Sequence, residues 1–407
     1  MPTFLTHLEG SIDGSRHPHD RLQTTHAGRP LLARYDLGAA GRALPRAELA
    51  RRPASLWRYR EVLPVEQDEN VVSLGEGMTP LLACPRLGRE LGLENLWIKD
   101  ESHLPTGSFK ARGLALAVSR AKELGAKRLA IPTAGNAGGA LAAYAARAGL
   151  EAFVFMPLDT PLVNRGEAAL FGARAFLVDG LITDCAALIQ AGTPHMGWFD
   201  LSTLKEPYRL EGKKTMGYEL AEQLDWVLPD VILYPTGGGT GLVGMDKAFD
   251  EMTTLDWLAS AKRPRFYSCQ SDGCAPLVKA FERGERFAAP FPDPETVASG
   301  LRVPRAVADF LILDAVRGSG GACLAARESD LLPWMRRASA LEGLGLCPEA
   351  AACLGVLEQL VGAGAVRRHE RVVVFNTGAA QKYVEALPVD LPRLARGEEP
   401  VWSDLAS

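Results

Sequence analysis

The feature that most constrains this fold is an alternation of short apolar runs with longer stretches of helical periodicity. The apolar runs predict strands at residues 96–99, 129–131, 153–156, 175–178, 231–234, 265–269 and 371–375. Helical patterns fall between several of them, at residues 109–124, 140–148, 213–224 and 242–252. Alternating strands and helices produce mostly parallel sheets that are covered by helices. The chain therefore predicts an α/β fold, and its 407 residues suit two doubly wound, mostly parallel sheets better than one.

Charge and hydropathy exclude several classes of partner. The chain has 45 Lys and Arg against 49 Asp and Glu, and this net charge of −4 offers no attraction to nucleic acid or anionic membranes. No apolar stretch approaches the roughly 20 residues of a membrane span, and no secretory signal is visible at the N-terminus. We therefore expect a soluble cytoplasmic protein with neither nucleic acid nor a membrane as its partner.

The cysteines and histidines do not indicate a metal site. The seven cysteines are scattered and include no Cys-x-x-Cys pair, so we interpret them as buried small hydrophobic side chains. Residues 1–55 are polar and weakly periodic, and they contain His7, His17, His19 and His26. These histidines lack the compact spacing and the acidic or thiol partners of a zinc site. We therefore expect a solvated arm without metal.

Three glycine-containing turns each connect a strand to a helix, which is where α/β folds place their ligands. The first, Pro-Thr-Gly-Ser-Phe-Lys-Ala-Arg-Gly at residues 105–113, places Lys110 in the first turn of a helix. The positive end of the helix dipole disfavours a charged lysine there, and a partly neutral amine can form a Schiff base with a carbonyl. An ordinary solvated lysine is the alternative.

The other two turns suit a ring oxygen and a phosphate. Residues 132–139 contain Asn136 among three glycines, where a plain asparagine turn is the alternative to a hydrogen-bond donor for a ligand. Residues 235–241, Pro-Thr-Gly-Gly-Gly-Thr-Gly, precede a helix and can bind a phosphate through backbone N–H groups. A triphosphate loop is excluded because no Gly-Lys-Ser/Thr follows. A dinucleotide is disfavoured because the next strand ends at Gln270 without an acid for the ribose.

Together these features suit a phosphorylated aldehyde cofactor, and pyridoxal phosphate is that molecule. The chain resembles the fold-type II pyridoxal-phosphate-dependent enzymes and, within them, the threonine synthase family. The resemblance extends over residues 74–383 and includes Ser-Phe-Lys at 108–110, both loops, and Asn-Thr-Gly at 376–378. The block Pro-Tyr-Arg-Leu-Glu-Gly-Lys-Lys-Thr at 207–215 is what indicates threonine synthase. The resemblance implies a homodimer with the cofactor in a cleft between two domains.

The resemblance also implies which residues contact the cofactor. Lys110 would hold it as a Schiff base, and Phe109 would pack beside it. Asn136 would bond its 3′-oxygen, and Thr377 would face its pyridine nitrogen. Its phosphate would be bound by Gly237, Gly238, Gly239, Thr240 and Gly241. No metal ligand is implied.

Substrate contacts are expected from Ser108, Thr133 and Arg209, the last as the ligand of a substrate phosphate. The family commonly has Asp after the lysine, two further hydroxyls in the asparagine loop, and Asn-Ser before Pro-Tyr-Arg. This chain departs from that pattern at Ala111, Ala134, Ala137, Thr203 and Leu204. We expect these positions to face the substrate, so they bear on its identity.

The resemblance further implies domain boundaries. A large cofactor-binding domain would comprise residues 56–109 and 206–390, and a small α/β domain residues 110–205, with a C-terminal tail at 391–407. Residues 1–55 are similar to the zinc ribbon that opens some of these enzymes. The four cysteine positions of that ribbon hold Gly10, Asp13, Thr24 and Ala27, which leaves a remnant without a thiolate zinc site.

Three functions remain open at this stage. The leading one is threonine synthase, in which O-phospho-L-homoserine and water give L-threonine and phosphate, with Lys110 as the general base. The second is another β-eliminating or β-replacing enzyme with the same cofactor, such as a threonine or serine ammonia-lyase or a cysteate-synthase-like enzyme. Ala134 and Ala137 favour it, and the block that contains Arg209 opposes it. The third, a cofactor-free scaffold, is opposed by the intact lysine and glycines.

Overall fold

The computed structural model describes residues 3–387, 393–394, 396–397 and 401–402, and contains three β-sheets. The strands are β1 (Leu5–Gly10), β2 (Arg16–His17), β3 (Thr25–His26), β4 (Arg29–Tyr35), β5 (Leu81–Ala83), β6 (Asn95–Asp100), β7 (Arg128–Pro132), β8 (Glu151–Pro157), β9 (Arg174–Val178), β10 (Phe199–Asp200), β11 (Val231–Pro235), β12 (Arg265–Ser271), β13 (Ala322–Ala326) and β14 (Arg371–Asn376). The α-helices are α1 (Leu37–Ala43), α2 (Pro85–Leu91), α3 (Lys110–Glu123), α4 (Ala137–Ala148), α5 (Leu162–Leu170), α6 (Ile182–Met196), α7 (Tyr208–Gln223), α8 (Thr240–Thr254), α9 (Pro276–Glu282), α10 (Asp309–Gly318), α11 (Glu328–Glu342) and α12 (Pro348–Gly362). Among the described residues, no helix combines the length and the hydropathy needed to cross a membrane.

The largest sheet has six strands in the order β13-β12-β11-β14-β6-β5. All neighbouring strands are parallel except β5 and β6, which are antiparallel. Its central strand β14 is buried on both faces: Val373 and Phe375 join the apolar core on one side, and Val372 and Val374 join the core on the other. The unbroken apolar run at residues 371–375 is therefore explained by burial on both faces, as expected for a parallel sheet.

The second sheet has four parallel strands in the order β10-β7-β8-β9. Its strands lie between residues 128 and 200, whereas those of the six-stranded sheet come from residues 81–100 and 231–376. The prediction of an α/β fold with two mostly parallel sheets is confirmed. The C-terminal tail expected at residues 391–407 lies largely outside the described residues.

The third sheet corrects the expectation of a solvated N-terminal arm. Strands β1 to β4 form an antiparallel sheet in the order β2-β1-β4-β3. Leu8, Leu31 and Ala33 are buried in the main apolar core, and the Tyr35 hydroxyl donates a 2.8 Å hydrogen bond to Glu211 of α7. The arm is folded because these apolar residues of β1 and β4 pack into the core, although Ile12 and Leu22 outside the strands remain exposed. No group of three or more potential metal-binding side chains occurs in the part of the chain that the structure describes.

Helices α3 and α7 cross at close range because glycines replace side chains at their contact. A β-carbon on Gly212 would collide with the backbone carbonyl oxygen of Arg112, so only glycine permits this approach. The Arg112 side chain is fully buried and forms ion pairs at 2.5 Å with Glu101 and Glu219. These contacts fix the first turn of α3, where Lys110 lies, against the first turn of α7.

Helix α7 begins five residues before the predicted start at residue 213. The carboxylate of Glu206 accepts hydrogen bonds from the backbone N–H groups of Tyr208, at 2.7 Å, and Arg209, at 3.1 Å. A buried carboxylate at this position caps the orphan donors of the helix N-terminus. The extra turn places Arg209 on the helix rather than in a loop.

Candidate active site

A cavity of about 420 Å³ lies between the six-stranded and four-stranded sheets, beyond the carboxyl ends of their strands. Its lining includes the loops that follow β7, β11 and β14 and the first residue of α3. Because parallel strands end at the same edge of a sheet, loops that are distant in sequence meet there. The three turns identified in the sequence thus contribute to one cavity.

Lys110 is the first residue of α3 and lines the cavity. Its Nζ lies 4.0 Å from the ring centroid of Phe109, and no acidic residue occupies the first turn of the helix. Burial lowers the pKa of Lys110 to about 7, and the positive charge of Arg209 acts in the same direction, while Glu349 and Cys347 oppose it. The amine is therefore substantially neutral at physiological pH, as a nucleophile for a carbonyl must be.

Asn136 is held by a chain of hydrogen bonds across the cavity. Its Nδ2 donates to the Tyr383 hydroxyl at 3.2 Å, and that hydroxyl donates to Glu349 Oε1 at 2.8 Å. The same carboxylate oxygen accepts a bond from the backbone N–H of Gly300 at 2.8 Å. Because the tyrosine proton is committed to Glu349, the asparagine must present its amino group to Tyr383. Its Oδ1 is buried and has no partner among the described residues.

The glycine-rich loop, residues 236–239, connects β11 to the N-terminus of α8, and its glycines at 237 and 239 leave no room for a side chain. A β-carbon would collide with Gly300 at Gly237 and with Ile312 at Gly239, and Gly239 also has a positive φ of 73°. No backbone N–H from residue 237 to residue 241 donates to another described residue. A row of free N–H groups at a helix N-terminus is a phosphate-binding arrangement.

Thr377 follows β14 at the end of the cavity nearest α12. Its backbone carbonyl accepts a 3.0 Å hydrogen bond from the N–H of Phe109, which ties the Lys110 turn to the large sheet. Its hydroxyl lies 3.8 Å from the thiol of Cys347, whose pKa burial holds well above its usual range. The thiol next to this hydroxyl is thus uncharged. All seven cysteines are buried, which confirms their interpretation as hydrophobic side chains.

Arg209 lines the cavity with a guanidinium that has no carboxylate partner within 4 Å among the described residues. Its Nη1 donates to the carbonyl oxygen of Leu201 at 2.7 Å, and its buried Nε has no partner. Glu211 pairs instead with Lys214, at 2.6 Å. Burial raises the pKa of Glu206 to about 7, and this carboxyl caps α7. The structural ion pair that could have occupied Arg209 is absent from the described residues.

Comparison with known proteins agrees with this geometry. Residues 72–378 match the family described as pyridoxal-phosphate dependent enzymes. The chain belongs to this family. It is 36% identical over 325 residues to the threonine synthase of Methanosarcina acetivorans, covering 80% of this chain and 79% of the relative. It is 32% identical over 381 residues to the threonine synthase of Methanocaldococcus jannaschii, covering 93% and 92%.

Solved structures support the fold of a pyridoxal-phosphate-dependent enzyme. Maize serine racemase aligns with a TM-score of 0.65 at 18% identity, covering 76% of this chain and 92% of that one. Diaminopropionate ammonia lyase from Escherichia coli aligns with a TM-score of 0.65 at 19% identity, covering 77% and 88%. At these identities the likeness concerns the fold alone.

The residues present fit pyridoxal phosphate. The free N–H groups of the glycine-rich loop match its phosphate, and the half-neutral Lys110 matches its aldehyde. The partnerless Oδ1 of Asn136 and its second N–H leave that amide able to bind a further polar group. Pyridoxal phosphate is therefore the cofactor of this enzyme, and the predicted positions Phe109, Asn136 and Thr377 all line the cavity.

The expected substrate positions divide into two groups. Thr133 lines the cavity, although its hydroxyl exchanges hydrogen bonds with the backbone of Gly135. Ser108 is buried with a partnerless hydroxyl but does not line the cavity. Of the five departures, Ala134, Ala137 and Thr203 line the cavity. Ala111 and Leu204 do not: they belong to the apolar core, so the expectation that they face the substrate was wrong.

Sequence reasoning missed several cavity residues. Glu349 and Tyr383, which hold Asn136, gave no signal, because an acid in the first turn of a helix is ordinary N-terminal charge placement. The segment at residues 299–307 and one face of α6 also line the cavity. Arg305 at its exposed edge, which has no ion-pair partner in the described part of the chain, adds positive charge. The half-buried Lys205 also lines the cavity and lies 3.8 Å from the carboxylate of Asp200.

Proposed function

We propose that this enzyme is a threonine synthase that converts O-phospho-L-homoserine and water into L-threonine and phosphate. The observation that carries the proposal is Arg209, a buried guanidinium without a carboxylate partner that lines the same cavity as Lys110. A guanidinium in this state binds a phosphate group strongly through charge-assisted hydrogen bonds. The similarity to threonine synthases over most of the chain supports the same activity.

Lys110 is the residue that moves protons. When bound, pyridoxal phosphate withdraws electrons from the carbon that loses its proton. The Lys110 amine would hold the cofactor through its aldehyde and, when free, would accept the substrate's α-proton at Nζ. Its pKa of about 7 suits both acceptance and return of a proton near neutral pH.

The remaining residues bind and orient. The N–H groups of residues 237–241 hold the cofactor's phosphate, Asn136 its ring oxygen, and the Thr377 hydroxyl its pyridine nitrogen. Arg209 would hold the substrate's phosphate and neutralise the charge of the phosphate that leaves. Two separate phosphate sites in one cavity match a phosphorylated substrate and a phosphorylated cofactor. Thr133 completes the substrate side of this assignment, whereas Ser108, which does not line the cavity, receives no substrate contact.

One observation favours a different β-eliminating activity. Ala134 and Ala137 line the cavity where family members commonly carry hydroxyls, so the asparagine loop offers fewer polar contacts to a substrate. An enzyme of this kind would release ammonia from serine or threonine without need of Arg209. The two activities therefore differ in the group that is released: phosphate from phosphohomoserine, or ammonia from serine or threonine.

A substrate panel on the purified holoenzyme separates these activities. O-phospho-L-homoserine, L-serine and L-threonine are supplied in turn, and phosphate, ammonia and amino-acid products are all quantified. Stoichiometric phosphate and threonine from phosphohomoserine support the proposal. Rapid ammonia release from serine or threonine, with no phosphate released from phosphohomoserine, contradicts it.

We further propose that the enzyme acts in the cytoplasm as a homodimer and binds neither nucleic acid nor membranes. The net charge of −4 supports the absence of a nucleic-acid partner. Light scattering coupled to size-exclusion chromatography tests the dimer, since a single chain has a mass of 43.7 kDa. A monomer at micromolar concentration would contradict it.

A further inference from the structure

One buried lysine next to the cavity has no role in the mechanism above. Lys213 lies in α7, is fully buried, and has no carboxylate within 4 Å among the described residues. A buried lysine is almost always paired with an acid, because burial of an unpaired charge is costly. The next residue, Lys214, follows that rule, since it pairs with Glu211 at 2.6 Å and with Glu251 at 3.0 Å. Lys213 therefore needs an explanation that Lys214 does not.

The Lys213 amine contacts the turn that carries Lys110. Its Nζ donates a hydrogen bond to the carbonyl oxygen of Phe109 and lies 4.0 Å from the centroid of that residue's ring. The Nζ of Lys110 lies at the same distance from the same ring. The backbone N–H of Phe109 donates to the carbonyl oxygen of Thr377 at 3.0 Å. Both backbone polar groups of Phe109 are thus bound from outside α3, one from α7 and one from the loop after β14.

A glycine in α3 makes room for the Lys213 side chain. A β-carbon on Gly113 would lie 3.1 Å from Cε of Lys213 and 3.0 Å from the carbonyl oxygen of Arg209, both closer than ordinary van der Waals contact. Arg209 lies four residues before Lys213, so the two occupy the same face of α7. Lys213 therefore connects the Lys110 turn to the helix that carries the proposed ligand of the substrate phosphate.

The Lys213 amine is held uncharged in these surroundings. Burial lowers the pKa of Lys213 well below its usual range. The positive charges of Lys110, Arg209 and Arg112 act in the same direction, and the negative charge of Glu101 opposes them. Like charges four residues apart on a helix repel each other, and an uncharged amine next to Arg209 avoids this cost. The amine can still donate a hydrogen bond, so its contact with Phe109 does not require the charge.

We propose that Lys213 is a positioning residue for the proton transfers of Lys110. Its bond to the Phe109 carbonyl holds the first turn of α3 against α7, and so holds the Lys110 amine at a fixed separation from Arg209. The inference deepens the proposed function and rests on it only in taking Lys110 as the base. A displacement of about 1 Å at a reacting group can cost about 100-fold in rate, so this bond affects turnover without a contact to the substrate.

Lys213→Met tests the bond, because methionine fills a similar volume and has no donor. The value of kcat for phosphohomoserine should fall about 10- to 100-fold, whereas KM and the affinity for pyridoxal phosphate should change by less than about threefold. Lys213→Gln keeps an uncharged donor and should restore most of the lost rate. In both variants the pH midpoint for binding of pyridoxal phosphate to the cofactor-free protein should stay unchanged, because neither substitution removes a charge.

Lys214→Met is the matched control, because Lys214 is adjacent and equally buried but is paired with acids. It should lower the melting temperature, since Glu211 and Glu251 then share a single cation, Lys247, and it should change kcat and KM by less than about threefold. Equal losses of kcat and melting temperature in Lys213→Met and Lys214→Met would overturn the proposal. So would an upward shift of the pH midpoint in both Lys213 variants, or a Lys213→Gln enzyme no faster than Lys213→Met, because a charge rather than the bond would then act on Lys110.

Exchange of the α-proton separates this result from the proposed function. L-serine has no phosphate, so the transfer of its α-proton to deuterium oxide reports on Lys110 without a phosphate contact to Arg209. The exchange should slow in Lys213→Met and recover in Lys213→Gln, whichever amino acid the enzyme turns over, and an unchanged rate overturns the proposal. Phosphate release from phosphohomoserine by the unaltered enzyme reports on the proposed function alone. If Lys213→Met does not fold, the smaller and equally apolar Lys213→Leu takes its place in every comparison.

Discussion

Replacement of Arg209 by Met removes the guanidinium and keeps an unbranched side chain of similar length. In the structure the Arg209 Nε is buried without a partner, and Nη1 bonds to the carbonyl oxygen of Leu201. If Nε binds the substrate phosphate, its loss removes one charge-assisted hydrogen bond of about 1.5–3 kcal/mol. The value of kcat/KM for phosphohomoserine should then fall about 10- to 150-fold.

A second effect of Arg209→Met follows from electrostatics. The positive charge of Arg209 helps to lower the pKa of Lys110 to about 7, so its removal should raise that pKa. In the cofactor-free protein, the pH midpoint for binding of pyridoxal phosphate to the free amine should move upward. Arg209→Lys retains the charge, so it should restore most of this midpoint without restoring full activity on phosphohomoserine.

The assay compares two substrates on each variant. Phosphate release from phosphohomoserine and the slow reaction of unphosphorylated L-serine are measured in parallel, with the melting temperature as a control for the lost bond to Leu201. Activity on serine should change by less than threefold. Equal losses on both substrates would refute the assignment of the phosphate to Arg209 and would indicate that its bond to Leu201 is what matters.

Three further predictions concern other parts of the site. Lys110→Ala should abolish turnover, and borohydride reduction should no longer attach a pyridoxyl group to the protein. In the unaltered enzyme, an adduct found by mass spectrometry on another lysine would contradict the assignment. Glu349→Gln should move the pKa of Lys110 below about 7, because it removes a nearby negative charge, and an upward shift in the pH dependence of cofactor binding would contradict this. Gly212→Ala should lower the free energy of unfolding by about 3 kcal/mol, because its β-carbon meets the Arg112 carbonyl, whereas Gly166→Ala in the exposed part of α5 should be neutral or stabilising. Equal melting temperatures for these two variants would contradict the close helix crossing.

The parts of the site that the sequence predicted share one physical property. Lys110, Asn136, the glycine-rich loop and Thr377 each follow the end of a strand in the chain, and such ends meet at one edge of a parallel sheet. Their chemistry is also local: a helix start, a run of glycines or a turn can be recognised without knowledge of what lies opposite. This is why the strands that lead to these loops were predicted within a few residues of their observed positions.

The parts that were not predicted depend on contacts between distant segments. Glu349 acts on Asn136 only through Tyr383, which lies 247 residues after the asparagine in the chain. No periodicity or motif in the sequence encodes such neighbours. The N-terminal sheet was not predicted for a similar reason, since Leu8 is recognisable as a core residue only when the surface that it packs against is known.

The glycine contact between α3 and α7 links the two ends of the chemistry. Lys110 begins α3 and Arg209 lies in the first turn of α7, so the crossing at Gly212 fixes the distance between the amine that moves protons and the cation proposed to hold the phosphate. A wider crossing would weaken the effect of Arg209 on the Lys110 pKa as well as its reach to the substrate. Gly212→Ala should therefore shift the pH midpoint of cofactor binding upward in the same direction as Arg209→Met, which a purely structural role for that glycine would not produce.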